Sequence, residues 1–541
     1  MGAAGTLPDV AHDQRQLVLP DGVALQASCW RLRHGGPWPA LLMRQPYGRA
    51  LASTMVYAHP AWYAAHGYLV VVQDVRGCGD SGGNFRLFAN EARDGSCTMA
   101  WLRAQPDCNG RVGCYGFSYQ GLTQLLWDGP DGPDCTAPAM AGLSLQHHWC
   151  QDGRADWWVL GLAWALQLAA ATCQRRGDGV AYGRIRKALH RQDFIEEGWG
   201  LLQQVDPENH LLRWWSGDWE SPVAAAGLEA VLRRPMLLIG GWYDPYLRGV
   251  TALHEQSLKA GGSPRLVVGP WTHGNWHGGQ LDQRQLAFFN HHLKDCPPEQ
   301  PQAAVQLFDV GCGHWWRGAH WPRQALERWR LRGQGLSGVD PHAGVLLPPS
   351  GKTGAATGAG GRDRLVLDPW RPTPARGGHL DVQAGPADRH DLDCRSDVLT
   401  FTTPPLPRAL ILSGTVWLRL RAASEGRGFD LCCALSRVWD VDGRLQVEQL
   451  SMGVGRWLGP QAQDLAWRQV GFQPLLRTVP AGGRLRLSIA LAGWPLIGIN
   501  PGNGQAPHAV AAHERQVVVV EFCWDEACLE LPLQQPDQAA A

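Results

Sequence analysis

The chain of 541 residues has no net charge, because its 49 Lys and Arg residues balance 49 Asp and Glu residues. Nucleic acids and anionic membranes are bound through an excess of positive charge, so we expect neither as a partner. The most apolar stretch, residues 157–171, is shorter than the roughly 20 residues that a membrane-spanning helix needs. The N-terminus also lacks the basic and apolar segments of a secretion signal, so we expect a cytoplasmic protein.

Sequence motifs for metals and cofactors are missing as well. The 15 cysteines are scattered without a C-x-x-C pair, which favours buried thiols over a disulfide framework. Two adjacent histidine pairs, at 147–148 and 291–292, would point apart on a helix, and no H-E-x-x-H sequence occurs. Residues 77–82 match G-x-G-x-x-G, but residues 82–86 do not begin a helix as dinucleotide binding requires. We therefore expect no cofactor and no metal.

The order of apolar segments predicts an α/β fold in the first half of the chain. Residues 17–30 form a predicted β-hairpin, and residues 67–72 are a continuous apolar run typical of a buried parallel strand. A predicted helix at 91–104 leads to the next strand, which is βαβ organisation. Sheet character returns at 235–241 and 264–269, and a closing helix is predicted at 283–294.

Two other regions differ from this pattern. Residues 144–230 are helical in character, rich in tryptophan and without strand alternation, so we interpret them as an inserted cap. From about residue 305, short alternating runs separated by turns predict a β-sandwich or jelly roll. The predicted domains are a first α/β part at 1–143, a helical cap at 144–230, a second α/β part at 231–304 and a β-sandwich at 305–541.

The sequence Gly116-Phe117-Ser118-Tyr119-Gln120-Gly121 provides a candidate nucleophile. It joins an apolar run to a short helix-compatible run, which is where α/β-hydrolases place a strained nucleophilic serine. Activating a serine hydroxyl requires a base, and the base requires an acid that orients it. Asp244 and His273 each follow a predicted parallel strand, and the order Ser, Asp, His is the one that this fold uses.

Several longer motifs are similar to those of one family, the cocaine esterase / X-Pro dipeptidyl-peptidase / α-amino-acid ester hydrolase group of α/β-hydrolases. The matching segments are Arg44-x-Pro46-Tyr47-Gly48, Val72-x-Asp74-Val75-Arg76-Gly77-x-Gly79-x-Ser81-x-Gly83, Asn109-Gly110-x-Val112-Gly113, Gly116-x-Ser118-Tyr119-x-Gly121, Gly240-Gly241-Trp242-Tyr243-Asp244 and Gly269-Pro270-Trp271-x-His273. Asp397-Val398-Leu399, Pro404-Pro405-Leu406, Asp430 and Asp440-Val441-Asp442-Gly443 resemble the jelly-roll domain of the group.

The resemblance implies the role of each catalytic residue. Ser118 would be the nucleophile, His273 the base and Asp244 the orienting acid. Tyr47 would donate its phenolic hydroxyl to the oxyanion, and Tyr119 its backbone N–H. The implied activity is a serine hydrolase that cleaves an ester or amide through an acyl-enzyme.

The substrate remains open between several alternatives. An aminopeptidase or acyltransferase could use the same triad, and a carbohydrate-binding protein without catalysis is a third possibility. Recognition of an amine would need carboxylates in the acyl pocket, for which Asp152, Asp156, Asp218 and Glu220 are available. The tryptophans favour a small apolar or aromatic acyl group. The residues expected to bind it are Trp149, Trp157, Trp158, Trp242 and Trp271. A homodimer also remains open.

Overall fold

The computed structural model describes residues 9–50, 56–219, 225–276, 278–297, 303–333, 335–340, 342–349 and 361–535. The strands of the first 320 residues are, in chain order, β1 Val10–Val18, β2 Ala24–Leu32, β3 Trp38–Gln45, β4 Leu69–Asp74, β5 Cys108–Phe117, β6 Cys135–Ala139, β7 Gln151–Asp152, β8 Ala155–Asp156, β9 Leu237–Tyr243, β10 Arg265–Thr272, β11 Val305–Asp309 and β12 His314–Gly318. The helices are α1 Pro60–Ala65, α2 Glu91–Arg103, α3 Tyr119–Thr123, α4 Leu145–Trp149, α5 Trp158–Arg175, α6 Gly179–Arg191, α7 Phe194–Val205, α8 His210–Trp215, α9 Ala225–Leu232, α10 Leu247–Lys259, α11 Leu281–Lys294 and α12 His390–Asp393.

Ten of these strands form one sheet in the order β1-β2-β4-β3-β5-β6-β9-β10-β11-β12. Within this order, the neighbouring strands β4, β3, β5, β6, β9, β10 and β11 run parallel to one another. Antiparallel strands flank them, β1 and β2 at one edge and β12 at the other. Every residue of β4 and β9 is buried, as expected for parallel strands that are covered on both faces. The predicted α/β fold is therefore confirmed.

Residues 305–318 correct one predicted boundary. We predicted that the β-sandwich begins at 305, but β11 pairs in parallel with β10, and β12 pairs with β11. The change from the first sheet to the second therefore falls after Gly318. Short alternating strands look the same in sequence whether they extend an α/β sheet or belong to a sandwich, so the pattern alone misplaced this boundary.

The tryptophan-rich region between β6 and β9 is mainly helical, as predicted, and contains the helices α4 to α9 and a small β7–β8 ribbon. Its longest helix, α5, packs against α6, α7 and α8. Indole rings stack at its centre, with Trp215 between Trp158 and Trp199 at centroid distances of 4.8 and 5.3 Å. Much of the tryptophan content thus serves the packing of the cap.

The C-terminal region forms a second, predominantly antiparallel sheet of twelve strands. They are β13 Gln324–Arg332, β14 Val345–Leu347, β15 Arg362–Leu367, β16 Val398–Thr402, β17 Leu410–Gly414, β18 Trp417–Ser424, β19 Gly428–Val441, β20 Arg444–Leu458, β21 Ala466–Gly471, β22 Leu475–Val479, β23 Arg484–Ala490 and β24 Val518–Gln534. This sheet closes on itself like a barrel, which agrees with the predicted β-sandwich class, whereas the jelly-roll topology stays a prediction.

The α/β region and the cap share one hydrophobic core, and the C-terminal region has a second core of its own. Hydrogen bonds join the cap to the C-terminal region, for example from the backbone N–H of Trp158 to the carbonyl of Leu496 at 2.9 Å. Within the described part of the chain, no helix combines the length and apolarity needed to cross a bilayer.

Candidate active site

Ser118 lies on the sharp turn between β5 and α3. Its backbone adopts φ 57° and ψ −126°, which is a strained conformation for a residue with a side chain. Gly116 has φ +138°, and a Cβ there would lie 2.4 Å from the Cβ of Gln120. A Cβ on Gly121 would lie 2.7 Å from the carbonyl oxygen of Ala139. Both glycines are therefore required for the turn that holds the serine above the sheet.

The predicted acid and base lie directly beyond two neighbouring strands, β9 and β10. The Asp244 Oδ2 atom is 2.6 Å from Nδ1 of His273. The other carboxylate oxygen, Oδ1, accepts a hydrogen bond from the backbone N–H of Tyr246 at 2.9 Å, and the carboxylate is fully buried. This contact fixes the imidazole and leaves its Nε2 atom for proton exchange.

The C-terminal region contributes to the position of the acid. Gln473 Nε2 donates a hydrogen bond of 2.7 Å to the backbone carbonyl of Asp244. Gln473 follows β21 and is itself buried. The loop that carries the acid is therefore held from both parts of the molecule.

The phenol of Tyr47 reaches the nucleophile from the loop after β3. The Gln45 side chain accepts a 2.8 Å hydrogen bond from the backbone N–H of Tyr47, and the Trp164 indole donates one of 3.1 Å to its hydroxyl. Although burial is the larger effect, the neighbouring Trp164 indole and Ser118 hydroxyl act to lower the pKa of this phenol. Burial raises the pKa of Tyr47 to about 12, which keeps the phenol protonated and able to donate near neutral pH.

Tyr119 is the first residue of α3, so its backbone N–H has no partner within the helix. Its side chain points into the core, where its hydroxyl donates a 2.7 Å hydrogen bond to Glu91. Glu91 in turn forms a buried ion pair of 2.9 Å with Arg44. Since Arg44 lies in β3 just before the Tyr47 loop, this buried network connects the two predicted oxyanion donors.

A cavity of about 470 Å³ opens above these groups. Tyr47, Ser118, Tyr246 and His273 lie in its wall, together with an apolar set that consists of Phe117, Trp149, Trp157, Leu160, Ala163 and Trp164. Cavities of this size and polarity accommodate small organic ligands.

The structure brings two of the five predicted substrate-binding tryptophans to this cavity, Trp149 and Trp157. The other three tryptophans are not among the residues that line it. Trp158 stacks on Trp215 inside the cap and donates to the carbonyl of Ile195. The Trp242 indole donates to the carbonyl of Phe308, on the far side of its strand. The Trp271 ring packs over Gly269 and Gly279 and against Trp315.

Asp152 and Asp156, two of the candidate amine-binding carboxylates, do not line the cavity. Asp152 is buried in an ion pair with Arg248 and a 3.1 Å contact with His379, and although burial opposes it, these partners hold its pKa below the usual range. Asp156 accepts a hydrogen bond from Gln151, and burial raises its pKa to about 6.

The other two candidate carboxylates are Asp218 and Glu220. Asp218 pairs with Arg213 beside a different cavity. Glu220 lies outside the described residues.

Three features of the wall were not anticipated from the sequence. Trp164 anchors Tyr47, Tyr246 adds a second phenol to the wall that includes Ser118, and a loop of the C-terminal region contributes Asp381, Val382 and Ala384. Among the described wall residues, Asp381 carries the only carboxylate, and its oxygens accept backbone N–H groups of its own loop. For Tyr246, the only signal in the sequence was its position two residues after the predicted acid Asp244.

Comparison with known proteins agrees with this arrangement. Residues 21–275 match the family model described as X-Pro dipeptidyl-peptidase (S15 family). Residues 300–518 match the model of the X-Pro dipeptidyl-peptidase C-terminal non-catalytic domain. The cocaine esterase of Rhodococcus sp. (strain MB1 Bresler) is 29% identical over 479 residues, which are 78% of this chain and 79% of that protein.

Solved structures share the fold over nearly the whole length. An aminopeptidase from a marine sediment archaeon, Thaumarchaeota archaeon, has a TM-score of 0.77 at 19% identity, with 98% of this chain and 97% of that chain covered. An α-amino-acid ester hydrolase has a TM-score of 0.73 at 21% identity, with 98% of both chains covered.

Proposed function

The chain is an α/β-hydrolase of the cocaine esterase / X-Pro dipeptidyl-peptidase / α-amino-acid ester hydrolase group, and from this we propose that it hydrolyses carboxylic esters of small apolar or aromatic acids. It is a serine hydrolase, and the group as a whole acts on esters or X-Pro peptides. The observation that carries the proposal is the 2.6 Å contact of Asp244 with His273 in the wall of an apolar cavity that also exposes the strained Ser118.

The proposed reaction has two stages. In the first, Ser118 Oγ attacks the carbonyl carbon while His273 Nε2 takes its proton, and the same proton then passes to the departing alcohol. In the second, water attacks the acyl carbon and gives its proton to His273, the bond from that carbon to Ser118 Oγ breaks, and Oγ takes the proton back as the acid leaves. The negative charge of each tetrahedral adduct would lie on the carbonyl oxygen, near the Tyr47 hydroxyl and the Tyr119 N–H.

The composition of the cavity supports an apolar acyl group. Its aromatic and aliphatic wall offers contact area to a ring, and Asp381, the only carboxylate among the described wall residues, is already occupied by backbone N–H groups. A protonated amine would therefore find no free carboxylate on the described wall, which is unfavourable for a buried cation.

A substrate panel tests this proposal. We expect p-nitrophenyl benzoate and p-nitrophenyl butyrate to be hydrolysed with a kcat/KM at least about tenfold above that for alanyl-proline p-nitroanilide. The reason is that contacts with the apolar wall stabilise an apolar acyl group in the transition state. A preference for the anilide would overturn the proposal and favour the X-Pro peptidase activity that the S15 match suggests.

The size of the acyl group that the cavity accepts is expected to depend on Ala163, which lies on α5 and lines the cavity. Ala163→Leu should fill part of the cavity and lower kcat/KM for p-nitrophenyl benzoate at least about tenfold. The kcat/KM for the smaller p-nitrophenyl acetate should stay within about threefold of the wild-type value. Ala171→Leu on the exposed side of α5 is the matched control and should change neither. Equal losses for both esters in Ala163→Leu would place the acyl group elsewhere.

Removal of the Tyr47 hydroxyl is expected to weaken transition-state binding. We expect Tyr47→Phe to lower kcat/KM for p-nitrophenyl butyrate roughly 10²- to 10³-fold, the usual effect of one lost oxyanion donor. Tyr115→Phe is the control, because the buried Tyr115 hydroxyl lies on β5 without a hydrogen-bond partner among the described residues. A loss below threefold in Tyr47→Phe would exclude Tyr47 from the oxyanion hole.

A further inference from the structure

Two phenols, rather than one, converge on the nucleophile. Tyr47 and Tyr246 lie with Ser118 in the wall of the same cavity, and although burial raises the pKa of each phenol, the nearby Ser118 hydroxyl acts to lower it. A serine hydroxyl can accept two hydrogen bonds while it donates its own proton. Two phenolic donors and the base His273 would together match the full capacity of Ser118 Oγ.

Tyr246 is attached to the base rather than to the oxyanion loop. Its backbone N–H donates to Oδ1 of Asp244, while Oδ2 of the same carboxylate holds His273. Its ring packs against the imidazole with centroids 5.0 Å apart and planes inclined at 38°. Trp149 closes on the ring from another side, with centroids 4.6 Å apart. Tyr246 is thus held beside the imidazole that takes part in proton transfer.

Tyr47 approaches from a different element and is fixed differently. It lies on the loop after β3, and its oxygen accepts a hydrogen bond from Trp164. The phenol proton is then free to point at the site. The two hydroxyls are therefore not equivalent, because one belongs to the loop after β3 and the other to the loop that carries Asp244.

We propose that Tyr246 is a catalytic residue that donates a hydrogen bond to Ser118 Oγ as this oxygen leaves during breakdown of the acyl-enzyme. The inference rests on the proposed serine hydrolase activity. In this step, water adds to the acyl carbon and its proton moves to His273 Nε2. The bond from the acyl carbon to Oγ then breaks, its electron pair stays on Oγ, and Oγ takes the proton from the imidazolium as the acid is released.

The role of the donor follows from where charge develops. During acylation Oγ gives electron density to the carbonyl carbon, so a donor on Oγ assists little. During deacylation Oγ is the leaving atom and gains negative charge, so a donor on it lowers the barrier. Burial raises the pKa of Tyr246 well above its usual value, so the phenol keeps its proton throughout.

The test compares the two half-reactions in wild type and Tyr246→Phe with p-nitrophenyl butyrate. The release of p-nitrophenolate in a stopped-flow burst gives the acylation rate. The decay of the butyryl adduct, followed by intact-mass spectrometry after removal of excess ester, gives the deacylation rate. We expect deacylation to slow roughly tenfold to hundredfold in Tyr246→Phe, while acylation and kcat/KM stay within about threefold.

The steady state should show the same asymmetry. Both kcat and KM should fall together in Tyr246→Phe, because the acyl-enzyme accumulates. Tyr115→Phe should leave both half-reactions unchanged, and equal melting temperatures of the three proteins would exclude a folding defect.

Other outcomes would overturn the inference in distinguishable ways. Equal slowing of both half-reactions would place the Tyr246 hydroxyl on the oxyanion or in a structural role. An unchanged adduct lifetime would leave Tyr246 without a catalytic role. Failure of wild type to form any acyl adduct would instead reject the proposed function itself.

Discussion

Ser118→Ala is expected to reduce ester hydrolysis roughly 10⁶-fold, to the level that the remaining binding groups provide. The physical reason is that alanine offers no oxygen that could bond to the acyl carbon, so Asp244 and His273 have no nucleophile to activate. Alanine is also acceptable in the strained turn to the same degree as serine, because both side chains carry a Cβ. The loss should therefore arise in the chemical step.

The measurement is steady-state hydrolysis of p-nitrophenyl butyrate together with intact-mass spectrometry after exposure to a small organophosphonate. Wild type should gain the mass of one adduct, and Ser118→Ala should gain none. Ser216→Ala, at an exposed position of the cap, is the control and should behave as wild type. An adduct on Ser118→Ala, or residual activity above about 1% in that variant, would show that another residue is the nucleophile.

Asp244→Asn is expected to lower kcat roughly 10⁴-fold with little change in KM. The asparagine amide can donate a hydrogen bond to Nδ1 of His273, which then holds its own proton on Nε2. In that tautomer the imidazole cannot accept the proton of Ser118. Because the carboxylate is fully buried and also accepts the N–H of Tyr246, the isosteric amide should leave the loop in place.

Asp381→Asn provides the matched control, since it neutralises the only carboxylate among the described wall residues without touching the triad. It should retain ester hydrolysis within about threefold. Rates are to be compared with p-nitrophenyl butyrate at several pH values, and the rate of organophosphonate labelling should fall in parallel in Asp244→Asn. A loss below about tenfold in Asp244→Asn would mean that a different carboxylate orients His273.

The order of elements was predictable because the responsible signals are local. The glycines around Ser118, and the positions of Asp244 and His273 just beyond apolar runs, identify strand ends, and parallel strand ends meet at one edge of a sheet. The structure places these three residues as the sequence suggested. The roles of Tyr47 and Tyr119 came from the family resemblance and stay predictions, although both lie beside Ser118.

The wall of the cavity was far less predictable, because residue type does not determine which way a side chain points. Trp149 and Trp158 lie nine positions apart in the same cap, yet one faces the cavity and the other packs inside the cap. Tyr243 and Tyr246 flank the acid on the two sides, and only the three-dimensional path of the loop shows that the second one lies in the cavity wall with Ser118. Contacts between distant segments decide such cases.

The 381–384 loop has a consequence for how this enzyme could diversify. It brings Asp381, Val382 and Ala384 to the cavity from a region that carries none of the triad, and its residues Leu380 and Ala384 pack against the first core. Mutations in that loop could alter substrate choice while the nucleophile, acid and base remain under separate constraint. Selection, or a directed-evolution library, can therefore explore new acyl groups in one part of the chain while conserving the chemistry in another.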